Sequence, residues 1–302
     1  MRSKTPQYLA GVLAAAMMSA MPAWVQDLPA GAVLIAEGYS FPEGPAIDKQ
    51  GALFFSDARG NTISKWTGKT AEVVLKDTLA GNGTAFDKEG NLYICQGGGQ
   101  AILKMTPDGK AAPWVTTADS DKTLNRPNDA VFDFEGNLFF TNPARGVGET
   151  PVGVVRVRPD GTAETVATDQ QYPNGTDISP DGKTLYVGDF SGGSTVWKYA
   201  IAPGGELGKG EVFIQFGTGG PDGIAVAASG NVYVVLNMAS KIVVVAPDGK
   251  VVKEILFPKG SGVTNLCFGG ADFKTMYITV GMKGTVYTMP ADELGMKLFS
   301  HR

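Results

Sequence analysis

From residue 33 onward the apolar residues of this 302-residue chain fall in short runs fenced by turn dipeptides, and no stretch carries an apolar stripe at helical spacing. Six runs read as strands: ALFFSD (52–57), NLYICQ (91–96), NLFFTN (137–142), TLYVGD (184–189), NVYVVL (231–236) and TMYITV (275–280). They start 39, 46, 47, 47 and 44 residues apart, and each follows a turn signal: KQG, KEG, FEG, PDGK, ASG or ADFK. A shorter strand follows most of them (TISKW, AILKM, GVVRV, STVWKY, KIVVVA, TVYTMP), often with a PDGK or PDGT turn behind it.

Strand, turn, strand, turn, strand and a variable outer strand make one four-stranded blade, and a repeat of this length is the period of a propeller. The sequence therefore predicts an all-β fold, a six-bladed β-propeller over residues 33–302 with four-stranded blades around a central channel. VLIAEG (33–38) has no blade of its own. It is expected to become the outer strand of the last blade, which closes the ring and removes an open sheet edge. A β-sandwich would not need six similar periods.

Just ahead of each strong strand lies an innermost strand: EGPAID (43), NGTAFD (82), NDAVFD (128), NGTDIS (174), DGIAVA (222) and TNLCFG (264). Aligning the repeats stacks Glu43, Asn82, Asn128, Asn174, Asp222 and Asn265 on one position, and every one offers a side-chain oxygen. Innermost strands converge on one mouth of the channel, so six oxygens would approach the axis from six directions. Such a cage suits Ca²⁺, which takes oxygen ligands in flexible geometry, and Glu43 and Asp222 match its charge. The competing explanation is local, since Asn-Gly and Asp-Gly are turn dipeptides whose short polar side chains bond nearby backbone. It accounts for Asn82 and Asn265 but poorly for Glu43, which is not a turn residue.

Composition narrows the chemistry. The net charge is −4 with both signs scattered, which leaves no electrostatic footprint for nucleic acid and points to a small partner. The only histidine is His301, so a histidine-rich zinc site and a Ser-His or Cys-His pair are excluded. Cys95 and Cys267 sit in separate apolar runs; an exported chain could bridge them, but two buried free thiols is the simpler reading. Arg2 and Lys4 followed by an apolar run from Tyr8 to about Ala23 predict an export signal over residues 1–23 and a linker over 24–32. The run is short for a bilayer span, so no membrane association is expected after cleavage and the mature chain is placed in the periplasm or outside the cell.

FPEGPAID with LFFSD, LNRPNDAVFDFEGNLFFTNP, YPNGTDISPDGKTLYVGD, GGPDGIAV with GNVYVV, and VTNLCFGGADFKTMYIT follow one another at blade spacing over nearly the whole mature chain. Together they resemble the senescence marker protein/gluconolactonase family of six-bladed propellers, which includes luciferin-regenerating enzymes and bacterial lactonases. The resemblance implies a divalent metal, usually calcium, at the channel mouth and a small-molecule lactone as substrate. It implies Glu43, Asn174 and Asp222 as metal ligands, Asn128 as a residue touching metal or substrate, Arg126 as a substrate-binding arginine, and Asp222 as general base. Two positions depart from the family pattern: Asp177 stands where an apolar residue is commoner, and Asn142 where an aspartate is usual.

Lactone hydrolysis needs an activated water, a polarised carbonyl and stabilisation of an oxyanion. Calcium can act as Lewis acid, with Mg²⁺, Mn²⁺ or Zn²⁺ as possible replacements. It acidifies water less than zinc does, so a separate base is required, and without a usable histidine Asp222 is the leading carboxylate. Asp57 and Asp189 read as structural turn acceptors and QGGGQ (96–100) as a turn. The alternative function is a non-catalytic propeller that binds a ligand or protein and keeps calcium as a structural plug.

Overall fold

The computed structural model describes residues 27–144, 153–191 and 193–302. The expected export signal, the first part of the linker and most of the loop after Asn142 lie outside these residues. Among the described residues no helix is long and apolar enough to cross a membrane.

Six four-stranded antiparallel sheets follow one another, the first five with their strands in chain order from the axis outward. The innermost strands are Pro42–Ile47, Gly81–Phe86, Ala130–Phe132, Pro173–Ile178, Pro221–Val226 and Val263–Gly269. The second strands, from Leu53–Asp57 in blade 1 to Thr275–Val280 in blade 6, are the six strong runs seen in the sequence. Val33–Glu37 is the outermost strand of blade 6, antiparallel to Thr285–Pro290, so the expected closure is borne out. Tyr39 then donates to the Gly284 carbonyl at 3.1 Å as the chain turns into blade 1.

The apolar core is not central. It lies in layers between neighbouring sheets: Phe54, Ile63, Leu92 and Leu103 fill the space between blades 1 and 2, and Cys95, Ile102, Leu138 and Phe140 that between blades 2 and 3. Cys95 and Cys267 are buried in different layers as free thiols, the simpler of the two expectations.

The innermost strands approach one another very closely, and glycine makes this possible. A Cβ on Gly175 would lie 2.0 Å from the Asp222 carbonyl oxygen, and one on Gly223 2.1 Å from Asn265 Oδ1. The same holds for Gly44 against the Asn82 carbonyl at 2.2 Å and Gly83 against Asp129 at 2.3 Å. These glycines follow the ring residues Glu43, Asn82, Asn174 and Asp222. The Asn-Gly and Asp-Gly pairs are therefore not turn dipeptides: they lie inside strands, where the missing side chain admits the backbone of the next blade.

Hydrogen bonds then link the strands around the axis. Thr84 Oγ1 donates to the Gly44 carbonyl at 2.6 Å, Gly83 N to the Asn128 carbonyl at 2.7 Å, and Thr176 N to Asp129 Oδ2 at 3.3 Å. Val226 N donates to Asp177 Oδ2 at 2.7 Å, Asn237 Nδ2 to the Val263 carbonyl at 2.9 Å, and Thr264 Oγ1 to the Pro42 carbonyl at 2.9 Å. Every blade is bonded to the next. Asp177, the departure from the family pattern, is one of these links: it also accepts from its own Ile178 N–H at 2.8 Å.

The glycine argument yields a stability prediction. Gly175→Ala drives a methyl into backbone that cannot yield, and should lower the unfolding free energy by about 3 kcal/mol, as overpacking does in tight interiors. Gly208→Ala is the control, because its Cβ would meet Ala200 Cβ at an ordinary 3.4 Å. Urea titration of the two variants should show a large drop in midpoint for the first and almost none for the second.

Candidate functional site at the channel mouth

The ring residues are aimed by a repeated irregularity. Gly81 pairs with Gln96 and Thr84 with Ile94, Pro173 with Asp189 and Thr176 with Val187, Pro221 with Leu236 and Ile224 with Val234. In each case the inner strand carries one residue more than its partner, and Asn82, Asn174 and Asp222 fall in the bulge. A bulge turns a side chain out of the regular alternation, which is how strands commonly present site residues. Blade 1 shifts register between Glu43 and Ala46.

The sixth position needs a correction. Phe268 pairs with Met276 as Phe86 pairs with Leu92, so strand register puts Thr264, not Asn265, level with the ring. Asn265 stands one residue deeper, level with Asp129 of blade 3, and the two meet across the channel with Asn265 Nδ2 3.4 Å from Asp129 Oδ2. The repeat alignment slipped because an oxygen donor stands at both positions.

Glu43, Asn128, Asn174 and Asp222 are all buried at this mouth. Asp222 accepts hydrogen bonds from the side chains of Asn174 and Asn237. Asn265 bonds the Glu43 carboxylate, which also accepts from Gly44 N at 3.2 Å. Asn128 gives its carbonyl to Gly83 and forms no side-chain hydrogen bond to a described residue, so a buried amide is left uncommitted beside the carboxylates. Asn82 is less buried, and its carbonyl accepts from Ser56 Oγ at 2.8 Å.

Asp129 is the residue that sequence reasoning missed. It follows Asn128 directly, and only the register of blade 3 shows that its carboxylate also enters the channel. Burial pushes its pKa up to about 6, against hydrogen bonds from Ala130 N, Thr176 N and Asn265 that pull the other way. Burial, then the charges of Asp222 and Asp129, hold Glu43 well above the usual carboxylate range, and burial followed by Asp129 does the same to Asp222. Asp177, lower in the channel, is pushed to about 7 by burial, with Asp129 adding to the rise.

These shifts have one electrostatic meaning. Three acids share a desolvated mouth and repel one another, an arrangement that a cation would relieve. Among the described residues no group of three or more His, Cys, Asp and Glu side chains is arranged to hold an ion. The fit therefore rests on a mixed set of two carboxylates, Glu43 and Asp222, with the amide oxygens of Asn128 and Asn174. Hard oxygen donors of this kind suit calcium or a similar divalent cation.

Arg126 is exposed on the mouth loop, with its side chain packed against Gly97. Its backbone N–H and that of Asn125 both donate to Asn142 Oδ1 at 3.0 Å. Asp57 holds Ser40 N and Phe41 N at 2.8 Å in the same way, and Asp189 holds Gln171 N and Tyr172 N at 2.9 Å. Asp57 and Asp189 are the structural acceptors expected of them. Asn142 performs the same task with an amide oxygen, and QGGGQ forms a turn whose Gly98 and Gly99 amides bond the Leu79 carbonyl.

The far end of the channel is covered by the C-terminal segment, which the sequence did not announce. Met296 N bonds the Val226 carbonyl at 3.3 Å, Phe299 stacks on Phe132 at 5.4 Å between centroids, and His301 Nε2 meets the Asp48 carbonyl at 3.1 Å. Arg302 lies over the Phe134 ring. Between this cover and the ring residues lies a cavity of about 70 Å³ lined by Asp129, Asp177, Thr176 and Asn265 among apolar side chains. It is polar and roomy enough for ordered water.

The fold and this site define a class: a closed six-bladed propeller with an acid-and-amide cluster at one channel mouth. Residues 41–282 match the SMP-30/gluconolactonase/LRE-like region, and the chain belongs to that family. It is 28% identical over 278 residues to a gluconolactonase of Zymomonas mobilis, covering 81% of this chain and 78% of that one. It is 26% identical to regucalcin of Xenopus laevis, covering 83% and 86%. Among solved structures, a gluconolactonase from Xanthomonas campestris superposes with a TM-score of 0.78 at 26% identity, covering 89% of this chain and 93% of that one.

The C-terminal cover can be tested directly. Phe299→Ala removes the ring that stacks on Phe132 and lies under Lys88. It should cost about 2 kcal/mol of stability, less than a fully buried phenylalanine because this ring is partly exposed. Chemical denaturation with tryptophan fluorescence reads the change.

Proposed function

We propose that this chain is a metal-dependent hydrolase that opens the ester ring of a small lactone. What supports the reading is the gathering of Glu43, Asp129, Asp222, Asn128 and Asn174 at one mouth of the channel, with the C-terminal segment packed over the other, in a chain related to gluconolactonases. Glu43, Asn128, Asn174 and Asp222 are the residues that would hold the ion, with calcium favoured by an all-oxygen donor set. When bound, the ion supplies Lewis-acid polarisation of the lactone carbonyl.

The chain's own groups do the rest. Asp222 is placed to accept the proton of the attacking water as its oxygen bonds the carbonyl carbon. When the ring C–O bond breaks, that proton returns to the leaving alkoxide, and the product is a hydroxy acid. Asn174 and Asn237 orient the Asp222 carboxylate through their amide hydrogens, so it need not search for its geometry. Arg126 is available at the mouth to pair with a polar group of the substrate or the carboxylate formed. Export to the periplasm or beyond through residues 1–23 belongs to the same proposal.

A lactone panel read by acid release, on chain stripped of metal and reloaded with Ca²⁺, Mg²⁺, Mn²⁺ or Zn²⁺, tests the whole reading. Saturable metal binding without hydrolysis of any lactone would leave a non-catalytic binding propeller. Within the panel, Asp222→Asn keeps an oxygen donor but removes the proton acceptor, so kcat at saturating metal should fall by about 10² or more. Asn82→Ala should change kcat by less than about tenfold. A near wild-type kcat in Asp222→Asn would reduce Asp222 to a ligand.

Glu43→Gln preserves shape and removes one of two ligand charges. Its affinity for calcium should drop, and excess calcium should restore part of the activity. Elemental analysis after dialysis gives the check: metal content unchanged from wild type would move the site elsewhere.

A further inference from the structure

We propose that the channel mouth is built to hold an alkyl or aryl substituent carried by the lactone. This rests on the hydrolase reading above and narrows it.

Large exposed apolar side chains lie on the outermost strands and, for Leu294, on the far face; three others stand on loops around the mouth. These are Leu79, Met238 and Met282, at 55%, 73% and 62% exposure. Two of them belong to one arc. Met282 packs on Gly262, and its neighbour Gly281 lies against the Phe41 ring. Asn237, which bonds both Asp222 and the Val263 carbonyl, carries the chain straight into Met238. Met238 N and Asn237 N bond Gly219 and Gly220, and Gly220 packs under the Phe190 ring. Phe41, Met282, Met238 and Phe190 thus stand on the mouth loops of blades 1, 6, 5 and 4, and Asn237 joins this arc to Asp222.

Several polar groups on these loops are turned to neighbours of their own. Asp57 and Asp189 are turned to backbone N–H groups, Asn237 is bonded to Asp222 and Val263, and the Arg59 guanidinium is stacked on Phe41 at 4.3 Å. An alkyl chain gains apolar contact, and methionine adapts its shape to whatever it covers.

The opposite side of the mouth is different. There Leu79 stands beside the Gly97 turn against which Arg126 packs. Its segment is strained, with left-handed φ at Asp77, Leu79 and Ala80, of 58°, 48° and 58°. Ala80 N–H is held by Asn61 Oδ1 at 2.7 Å, and the Thr78 carbonyl by Gln96 Nε2 at 2.9 Å. Strain maintained by several bonds marks a segment whose position matters. The mouth therefore has a cationic side at Arg126 for a polar end and an apolar arc for a substituent.

The test uses the full chain in calcium and two readouts. Calorimetry compares 5-hydroxydecanoate with 5-hydroxypentanoate, the ring-opened acids of δ-decalactone and δ-valerolactone, and kcat/KM is measured for the two lactones. The pentyl group should raise affinity and kcat/KM at least tenfold, as expected for partial burial of five carbons. In the Met238→Gln/Met282→Gln variant both ratios should fall below about threefold. A wild-type ratio near one, or a ratio unchanged in the variant, overturns the proposal. Preferential, methionine-dependent binding of 5-hydroxydecanoate with no lactone turned over would uphold the arc and sink the hydrolase reading; turnover without preference would do the reverse.

Discussion

The approach of one innermost strand to the next is the constraint on which the mouth depends. Around most of the ring a glycine stands where a side chain would collide with the following blade, at Gly44, Gly83, Gly175 and Gly223. Their absence of a Cβ lets backbone carbonyls and amides of neighbouring blades bond, and that brings Glu43, Asp129, Asp222 and Asn265 within electrostatic reach of one another. The residues before three of these glycines, Glu43, Asn174 and Asp222, belong to the proposed site, and the glycines set the distance. In blade 3 alone the second position is an acid, Asp129, and it occupies space that the glycines leave open elsewhere.

That compression has an electrostatic consequence. Buried carboxylates with raised pKa values destabilise the folded chain at neutral pH, because the unfolded chain would hold them ionised in water at no cost. Asn265, Asn174 and Asn237 offset part of this by donating amide hydrogens to the carboxylates, and Asp177 and Asp129 accept backbone N–H groups of neighbouring blades. None of these donors carries a positive charge. A protein that keeps acids in such a place without a basic partner concentrates negative potential at one point of its surface, and a low-dielectric channel focuses it.

The architecture was readable from sequence because propeller blades repeat, and repetition reports itself in spacing whatever the local detail. The six second strands were placed from their apolar runs, and the unassigned VLIAEG segment could only close the ring. The ring residues were readable in blades 1 to 5 for the same reason. In blade 6 the pattern failed, since Thr264 and Asn265 both carry oxygen and the tie is broken only by the pairing of Phe268 with Met276. Asp129 was hidden by its neighbour, and the glycines suggested only a competing turn explanation because their role is to another strand about 40 residues away. The C-terminal cover left no signal, for a segment that crosses blades has neither the period of a strand nor that of a helix. His301 was seen only as the wrong residue for catalysis, whereas it ties the last turn to the Asp48 carbonyl.

The two ends of the channel solve opposite problems with the same materials. At the far end Met296, Phe299 and His301 close the axis with apolar and aromatic surface, and burial depresses the pKa of His301, so it stays neutral there. At the mouth the thioethers of Met238 and Met282 are left exposed on the surrounding loops instead of being folded inward. Had the mouth been covered as the far end is, the acids would be isolated from solvent and could meet neither ion nor substrate. Desolvation at the mouth is completed by the entering molecule itself, and its shape decides how dry the carboxylates become. Specificity and reactivity are then set by the same contacts, so a change on the border of this mouth acts on the chemistry at its centre without touching a single site residue.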